Sequence, residues 1–377
     1  MKTTHRVYFE NSERMPALPA GSVDLIVTSP PYPMIEMWDG LFTRLSPAAR
    51  KALTQQQGLA AFEAMHRVLD PVWAEAHRIL RPGGFACINI GDATRTIGDT
   101  FMLYPNHSRI LTRCLELGFT PLPAVLWRKQ TNSPNKFMGS GMLPAGAYVT
   151  LEHELILVLR KGPKREFTHS REKQRRRESA IFWEERNVWY SDVWFDLKGT
   201  RQGLEKDGPR RRSGAFPFEL VYRLISMFSA KGDTVLDPFL GTGTTLKAAA
   251  AAARNSIGFE IEPDFSESIF HRIREIVGFA NERVRSRIES HIDFIRQCRD
   301  TGRTLTHVNR RYGFPVVTRQ EIELFLNPLA DVCIHAKDGF EVSYSDAAGP
   351  VFDHPAVSPA ENPPPKPDPQ LDLFTRY

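Results

Sequence analysis

Residues 233–262, DTVLDPFLGTGTTLKAAAAAARNSIGFEIE, run from a short apolar strand through a glycine turn and an alanine-rich helix into a second apolar strand. This unit constrains the fold more than any other feature, because two strands joined by a helix lie side by side in a parallel sheet. An α/β architecture follows. The same alternation runs through the first third of the chain. "VDLIVT" (23–28) and "FACINIG" (85–91) have the β-branched and aliphatic content of buried strands. "TPLPAVLWRK" (120–129) and "HELILVLRK" (153–161) predict an antiparallel, hairpin-like end to the sheet. "LAAFEAMHRVLDPVWAEAHRIL" (59–80), "HSRILTRCLELG" (107–118) and "FPFELVYRLISMFS" (216–229) carry helical spacing, the first stopped by Pro82 and Gly83. Residues 264–305 predict a long charged helical region, and "VVTRQEIELFLNPLADV" (316–332) a further helix.

With 377 residues there is room for one large or two ordinary domains. No apolar run approaches the ~18 residues of a membrane span, and the polar start "MKTTHRVYFENSER" has no signal-peptide core. A cytoplasmic protein is expected, with no membrane partner. Cys87, Cys114, Cys298 and Cys333 lack C-x-x-C spacing, so neither a zinc site nor a disulfide framework is expected. They read as reduced core thiols.

The strand at 23–28 ends abruptly in Ser29-Pro30-Pro31-Tyr32. Proline fixes its own φ and donates no backbone hydrogen bond, so the loop is stiff and its carbonyls are free to face a ligand. Loops at the carboxyl ends of strands are where open α/β sheets bind ligands. The second candidate is the turn after Asp237-Pro238-Phe239. There Gly241 and Gly243 allow close backbone approach, Thr244 opens the helix and Glu260 ends the next strand. A carboxylate at that distance from a glycine turn can accept hydrogen bonds from both hydroxyls of a ribose. The turn is neither a Walker A loop nor G-x-G-x-x-G.

Charge is unevenly spread. Between Arg160 and Arg212 stand 16 Lys and Arg against 9 Asp and Glu, in a chain whose net charge is only +5. Arg175, Arg176 and Arg177, and Arg210, Arg211 and Arg212, form its densest runs. Phe182, Trp183, Trp189, Tyr190, Trp194 and Phe195 lie between them. Basic residues suit phosphates, and the aromatic ones either stack on bases or build a small core.

Together these motifs resemble the amino-methyltransferases that modify DNA, in which Ser-Pro-Pro-Tyr is the catalytic motif and the glycine turn binds S-adenosyl-L-methionine. The catalytic loop comes first, the basic segment second and the cofactor turn last, as in the circularly permuted beta group. "HRILRPGG", "INIGD", "VLWRK" and "AFPFELVYRLI" fall in place as well, so the resemblance covers about residues 5–275. It implies a Rossmann-like methyltransferase fold, a mostly parallel sheet with an antiparallel hairpin end. The implied organisation is a catalytic half (1–159), a basic target-recognition region (160–212) and a cofactor-binding half (213–275). A helical extension (276–343) and a proline-rich disordered tail (344–377) follow.

The resemblance also implies roles. The Ser29 side chain and the Pro30 carbonyl would accept from an exocyclic amine, drawing its lone pair out of conjugation. Pro31 would stiffen the loop and Tyr32 stack on a base flipped out of double-stranded DNA. Thr28, Asp237, Pro238, Phe239, Gly241, Gly243, Thr244 and Glu260 would hold the cofactor, with Phe216 and Pro217 as the opposite wall. The family often has His just before that proline, where this chain reads "RRSGAFP". No metal is required. Serine at position 29 is typical of members that methylate cytosine at N4, whereas adenine-N6 members usually carry Asp or Asn. Adenine is the alternative substrate, and a DNA-binding protein without catalysis the rival from another class.

The tail ends in "PPPKPDPQLDLFTRY". Gln370-Leu371-Asp372-Leu373-Phe374 resembles the peptide by which bacterial proteins dock on the replication sliding clamp. That resemblance makes the clamp an expected partner and places the enzyme near the nucleoid. A homodimer is left open.

Overall fold

A computed structural model of the chain describes residues 1–129, 149–199, 216–335 and 338–347. In chain order its strands are β1 (Lys2–Tyr8), β2 (Val23–Thr28), β3 (Leu80–Ile90), β4 (Ala93–Ile97), β5 (Thr100–Tyr104), β6 (Phe119–Arg128) and β7 (His153–Lys161). After these come β8 (Val193–Trp194), β9 (Thr234–Asp237), β10 (Asn255–Phe259), β11 (His307–Val308), β12 (Pro315–Val316), β13 (Leu329–His335) and β14 (Gly339–Tyr344). The helices are α1 (Asp39–Leu45), α2 (Pro47–Thr54), α3 (Gly58–Ile79), α4 (Asn106–Glu116) and α5 (Ser170–Glu178). They continue with α6 (Trp183–Trp189), α7 (Phe218–Phe228), α8 (Thr244–Ala251), α9 (Phe265–Arg274) and α10 (Ile276–Asp300).

Ten strands form one sheet in the order β13-β14-β1-β10-β9-β2-β3-β7-β6-β8. Its centre, β1 through β3, is parallel, and of the strands described only β7 and β14 run against the rest. The strand patterns explain why both faces are covered. In β2, Val23 and Ile26 join one core with α3 and α4, while Leu25 and Val27 join another with α7, α8, α9 and α10. A strand buried on both faces needs a continuous apolar run. The expected α/β fold is therefore observed, including the β6–β7 antiparallel pair.

The structure corrects several local expectations. Residues 316–332 do not form a helix: they hold the end of β12, a single 3-10 turn at Arg319–Glu321 and the start of β13. Tertiary partners override the local pattern. Buried Glu321 accepts from Trp183 N at 2.9 Å, Asn309 Nδ2 donates to Glu321 O and Leu324 O, and Pro328 interrupts any continuation. β13 and β14 instead extend the sheet beyond β1. β1 itself escaped the apolar-run criterion because Thr3 and His5 share its buried face with Val7. His5 stacks on Phe340 with ring centroids 4.3 Å apart. Of the cysteines, Cys333 is exposed on β13 while the other three are buried. Among the described residues no helix is long and apolar enough to cross a membrane.

The basic segment does not stand apart from the sheet, since β8 pairs with β6. Phe182, Trp189 and Trp194 are buried core residues, which takes them out of reach of bases; Tyr190 and Phe195 are exposed. α5 packs at the amino ends of the strands. Arg165 there bridges Asp233 at 2.6 Å and Asp24 at 3.3 Å, Ser179 Oγ accepts from Lys231 N, and the Arg175 guanidinium lies against Gly232.

Lys231 is 5% exposed, and its Nζ donates to the Phe325 carbonyl. Burial, reinforced by Arg254, pushes its pKa down to about 7. Because the folded value lies below the unfolded one, the cost of the buried charge is full below pH 7 and fades as pH rises toward 10.5. Lys231→Met is expected to stabilise the fold by about 1–4 kcal/mol at pH 6. Thermal melts across pH should show that gain shrinking above pH 7; a gain that grows with pH would contradict the burial argument.

Candidate active site

β2 and β9 are neighbours, pairing Leu25 with Val235 and Ile26 with Leu236. Their carboxyl ends therefore emerge together, although 209 residues separate Thr28 from Asp237. Thr28 Oγ1 donates to Asp237 Oδ1 at 2.6 Å, Thr245 Oγ1 donates to Oδ2 at 2.6 Å, and Phe239 N reaches Oδ1 at 3.0 Å. Burial raises the Asp237 pKa to about 6 against the lowering effect of these three donors. Asp237 thus ties the two loops together from behind.

A cavity of about 320 Å³ opens above this junction. Ser29, Pro30, Pro31 and Tyr32 line it together with Pro238, Phe239, Gly241, Thr244, Glu260 and Phe216. Thr28, Asp237, Gly243 and Pro217 were expected to contact ligand but are not among its lining residues. Thr28 and Asp237 support the loop, and Gly243 starts α8 with φ +83°, a left-handed conformation that suits glycine. A Cβ at Gly258 on β10 would lie 2.6 Å from Leu240 Cδ2, so only glycine lets the turn pack this closely on the strand. Glu260 is pre-held: Oε2 accepts from Gly241 N at 2.8 Å and Oε1 from Glu262 N at 2.9 Å. Arg44 of α1 reaches Glu262 at 2.6 Å.

The Ser29–Tyr32 loop is equally constrained. Asn106, fully buried, donates to Pro33 O and Gly91 O at 3.0 Å each, pinning the loop to the end of β3. Met34, just beyond the prolines, is held at φ +66°, an unfavourable conformation for a side-chain-bearing residue. The Tyr32 hydroxyl donates to Glu154 Oε2 at 3.0 Å, accepts from Asn89 Nδ2 at 2.8 Å and stands 3.1 Å from Ser29 Oγ. Burial, followed by the nearby Glu154 charge, pushes the phenol well above its usual pKa. Lys129 Nζ salt-bridges Glu154 Oε1 at 2.8 Å. Asn89, Lys129 and Glu154 went unnoticed in the sequence, although "INIGD", "VLWRK" and "HELILVLRK" contain them. Each is a single polar residue in or beside a strand, with no local signal of its partners.

Arg175, Arg176 and Arg177 lie on α5 at the opposite end of the sheet from Ser29, and the Arg176 guanidinium covers Phe167 at 4.8 Å. They do not border the cavity. Arg210, Arg211 and Arg212 fall outside the described residues, as do Gln370–Phe374.

Comparison with known proteins adds the family. Residues 23–271 match the N6/N4 methyltransferase family model described as DNA methylase. The chain belongs to the DNA methylase family. The methylase is 53% identical over 327 residues to the Type II methyltransferase M.MthZI of Methanothermobacter thermautotrophicus, covering 86% of this chain and 91% of that protein. It is 45% identical over 304 residues to the Type II methyltransferase M.MjaI of Methanocaldococcus jannaschii, covering 78% and 97%. Among solved structures, the methylase resembles a candidate DNA modification methylase from Thermus thermophilus crystallised with S-adenosyl-L-methionine. That match has a TM-score of 0.57 and 32% identity and covers 72% of this chain and 95% of the other. The resemblance stated from the motifs thus holds at the level of the family.

Proposed function

We propose that the protein transfers a methyl group from S-adenosyl-L-methionine to the exocyclic N4 of a cytosine flipped out of duplex DNA. The observation that carries this reading is the single cavity whose lining brings together Ser29, Pro30, Glu260 and the glycine turn. The residues fit the cofactor. Glu260 would take the ribose hydroxyls with a carboxylate already oriented by two amides, and the turn from Pro238 to Gly241 would take the methionine end. Bound there, the sulfonium supplies an electrophilic methyl and its own leaving group. The chain's task is positioning. Ser29 Oγ and the Pro30 carbonyl would accept the amine's hydrogens, and the stiff proline pair keeps that carbonyl in place beforehand. The Tyr32 ring, locked through its hydroxyl, offers a face on which a flipped base can stack. The order of the motifs supports the permuted beta group, and Ser29 supports cytosine over adenine.

DNA contact is assigned to Arg210, Arg211 and Arg212 rather than to α5. The described ends of their segment support this: a Cβ on Gly199 would sit 3.4 Å from the Lys129 side chain, and Phe216 lines the cavity. Replacing all three arginines with glutamine is expected to reduce the slope of log affinity against log salt by about 2–3. The same change at Arg175–177 should leave that slope in place, and the reverse result would move DNA to the other end of the sheet. The clamp peptide Gln370–Phe374 is carried by its sequence alone, and anisotropy of a peptide spanning 366–377 with purified clamp tests it.

The base is decided by incubating the enzyme with labelled S-adenosyl-L-methionine and DNA, then separating the nucleosides. Label in N4-methylcytosine is expected. Label in N6-methyladenine would overturn the cytosine reading and keep the fold and cofactor assignments, and no label in either would favour the non-catalytic rival.

A further inference from the structure

A serine hydroxyl can donate or accept, and only the acceptor role helps an amine whose lone pair must leave conjugation before it attacks. We propose that Glu154, acting through Tyr32 with Asn89 beside it, fixes the polarity of Ser29 so that its oxygen presents lone pairs to the substrate amine. This rests on the reading of Ser29 as an acceptor given above.

Glu154 is the fixed end: its carboxylate accepts from Lys129 Nζ at Oε1 and from Asn89 Nδ2 at Oε2, 2.7 Å away. Tyr32 has one hydroxyl hydrogen, and at 3.0 Å from Oε2 that hydrogen goes to Glu154. The Asn89 amide is oriented by the same carboxylate, because only its nitrogen can face both Glu154 and Tyr32 Oη. With its hydrogen committed, the tyrosine oxygen can only accept. The contact to Ser29 Oγ at 3.1 Å therefore runs from serine to tyrosine. The serine proton points away from the substrate, and the remaining lone pairs of Oγ are left for the amine. A neutral hydroxyl thereby becomes a one-way acceptor.

Packing holds this chain of polarity in place. A Cβ at Gly91 would lie 3.0 Å from Tyr32 Cε2 and 3.2 Å from Glu154 Cγ, so the ring and the carboxylate are pressed against bare backbone at the end of β3. Asn89 comes from β3, Glu154 from β7 and Lys129 from just after β6, so three strands converge on the loop after β2. Glu154 and Lys129 also line the cavity, but in this proposal they and Asn89 are positioning residues, acting on the amine through Tyr32 and Ser29.

The test is a double-mutant cycle on the full chain. In Glu154→Gln an amide hydrogen must face either Lys129 or the Tyr32–Asn89 pair, which breaks the sequence of donors. Its kcat is expected to fall about ten-fold, with cofactor Kd and the DNA KM within about two-fold of wild type. Tyr32→Phe keeps the ring and should lose kcat similarly. In a Ser29→Ala background neither change should cost anything further, because the group whose polarity they set is gone. Wild-type kcat in Glu154→Gln, or a full additional loss on top of Ser29→Ala, would overturn the proposal. Full activity in Ser29→Ala alone would instead sink the acceptor reading on which it rests. Should Glu154→Gln melt early or lose cofactor binding, the Tyr32→Phe arm of the cycle decides by the same criteria.

Discussion

Ser29→Ala is expected to lower kcat by about 10²–10³-fold, the scale seen when one preorganised polar group is removed from a transition state. Its Kd for S-adenosyl-L-methionine should stay at the wild-type value. The separation follows from the proposed roles: Ser29, hydrogen-bonded to Tyr32, would meet the amine, whereas Glu260 and the turn after Asp237 would hold the cofactor. Single-turnover kinetics at saturating cofactor, with isothermal titration alongside, measure the two quantities. Equal loss of both would mean that Ser29 holds the cofactor or the loop, not the amine.

Glu260→Ala should do the opposite. Hydrogen bonds to a charged group are worth about 1.5–3 kcal/mol, so the cofactor Kd should rise roughly 10–100-fold. At saturating cofactor, kcat should fall much less. Part of the loss arises within the protein, because the carboxylate also anchors the Gly241 and Glu262 amides and thereby shapes the turn. Glu260→Gln keeps one carbonyl acceptor and should fall between the two. Titration calorimetry is the direct measurement, and an unchanged Kd for Glu260→Ala would remove the residue from the ribose role.

Ser29 and Glu260 stood out in the sequence because Ser29 opens the proline loop that stops an apolar strand and Glu260 ends the strand after the glycine turn, 19 residues from Gly241. Two prolines after an apolar strand stop it in one place, and a glycine turn between strand and helix lets a ligand approach the backbone. Asn89, Glu154 and Lys129 were not legible in this way. Asn89 lies 57 residues from Tyr32 and Glu154 lies 122, and only strand pairing brings them onto its hydroxyl. Composition left two readings open where they share one residue type. An aromatic and basic segment suits nucleic acid, yet Phe182, Trp189 and Trp194 went into the core and Arg175–177 to the far end of the sheet.

The sequence by itself determined the α/β class, the strands β2, β3, β9 and β10, the two loops at their ends and the family to which the chain belongs. The physical reason is that apolar periodicity, proline and glycine act through local backbone preferences that every conformation of the chain feels. Tertiary structure alone decided that 316–332 would abandon helical spacing, that β13 and β14 would extend the sheet beyond β1, and which polar groups would gather on the Tyr32 hydroxyl. Those outcomes depend on burial and hydrogen-bond partners summed over distant segments. Glu321 capping Thr318 while receiving Trp183, and Glu154 receiving Tyr32, acquire their meaning only once the sheet has set their neighbours.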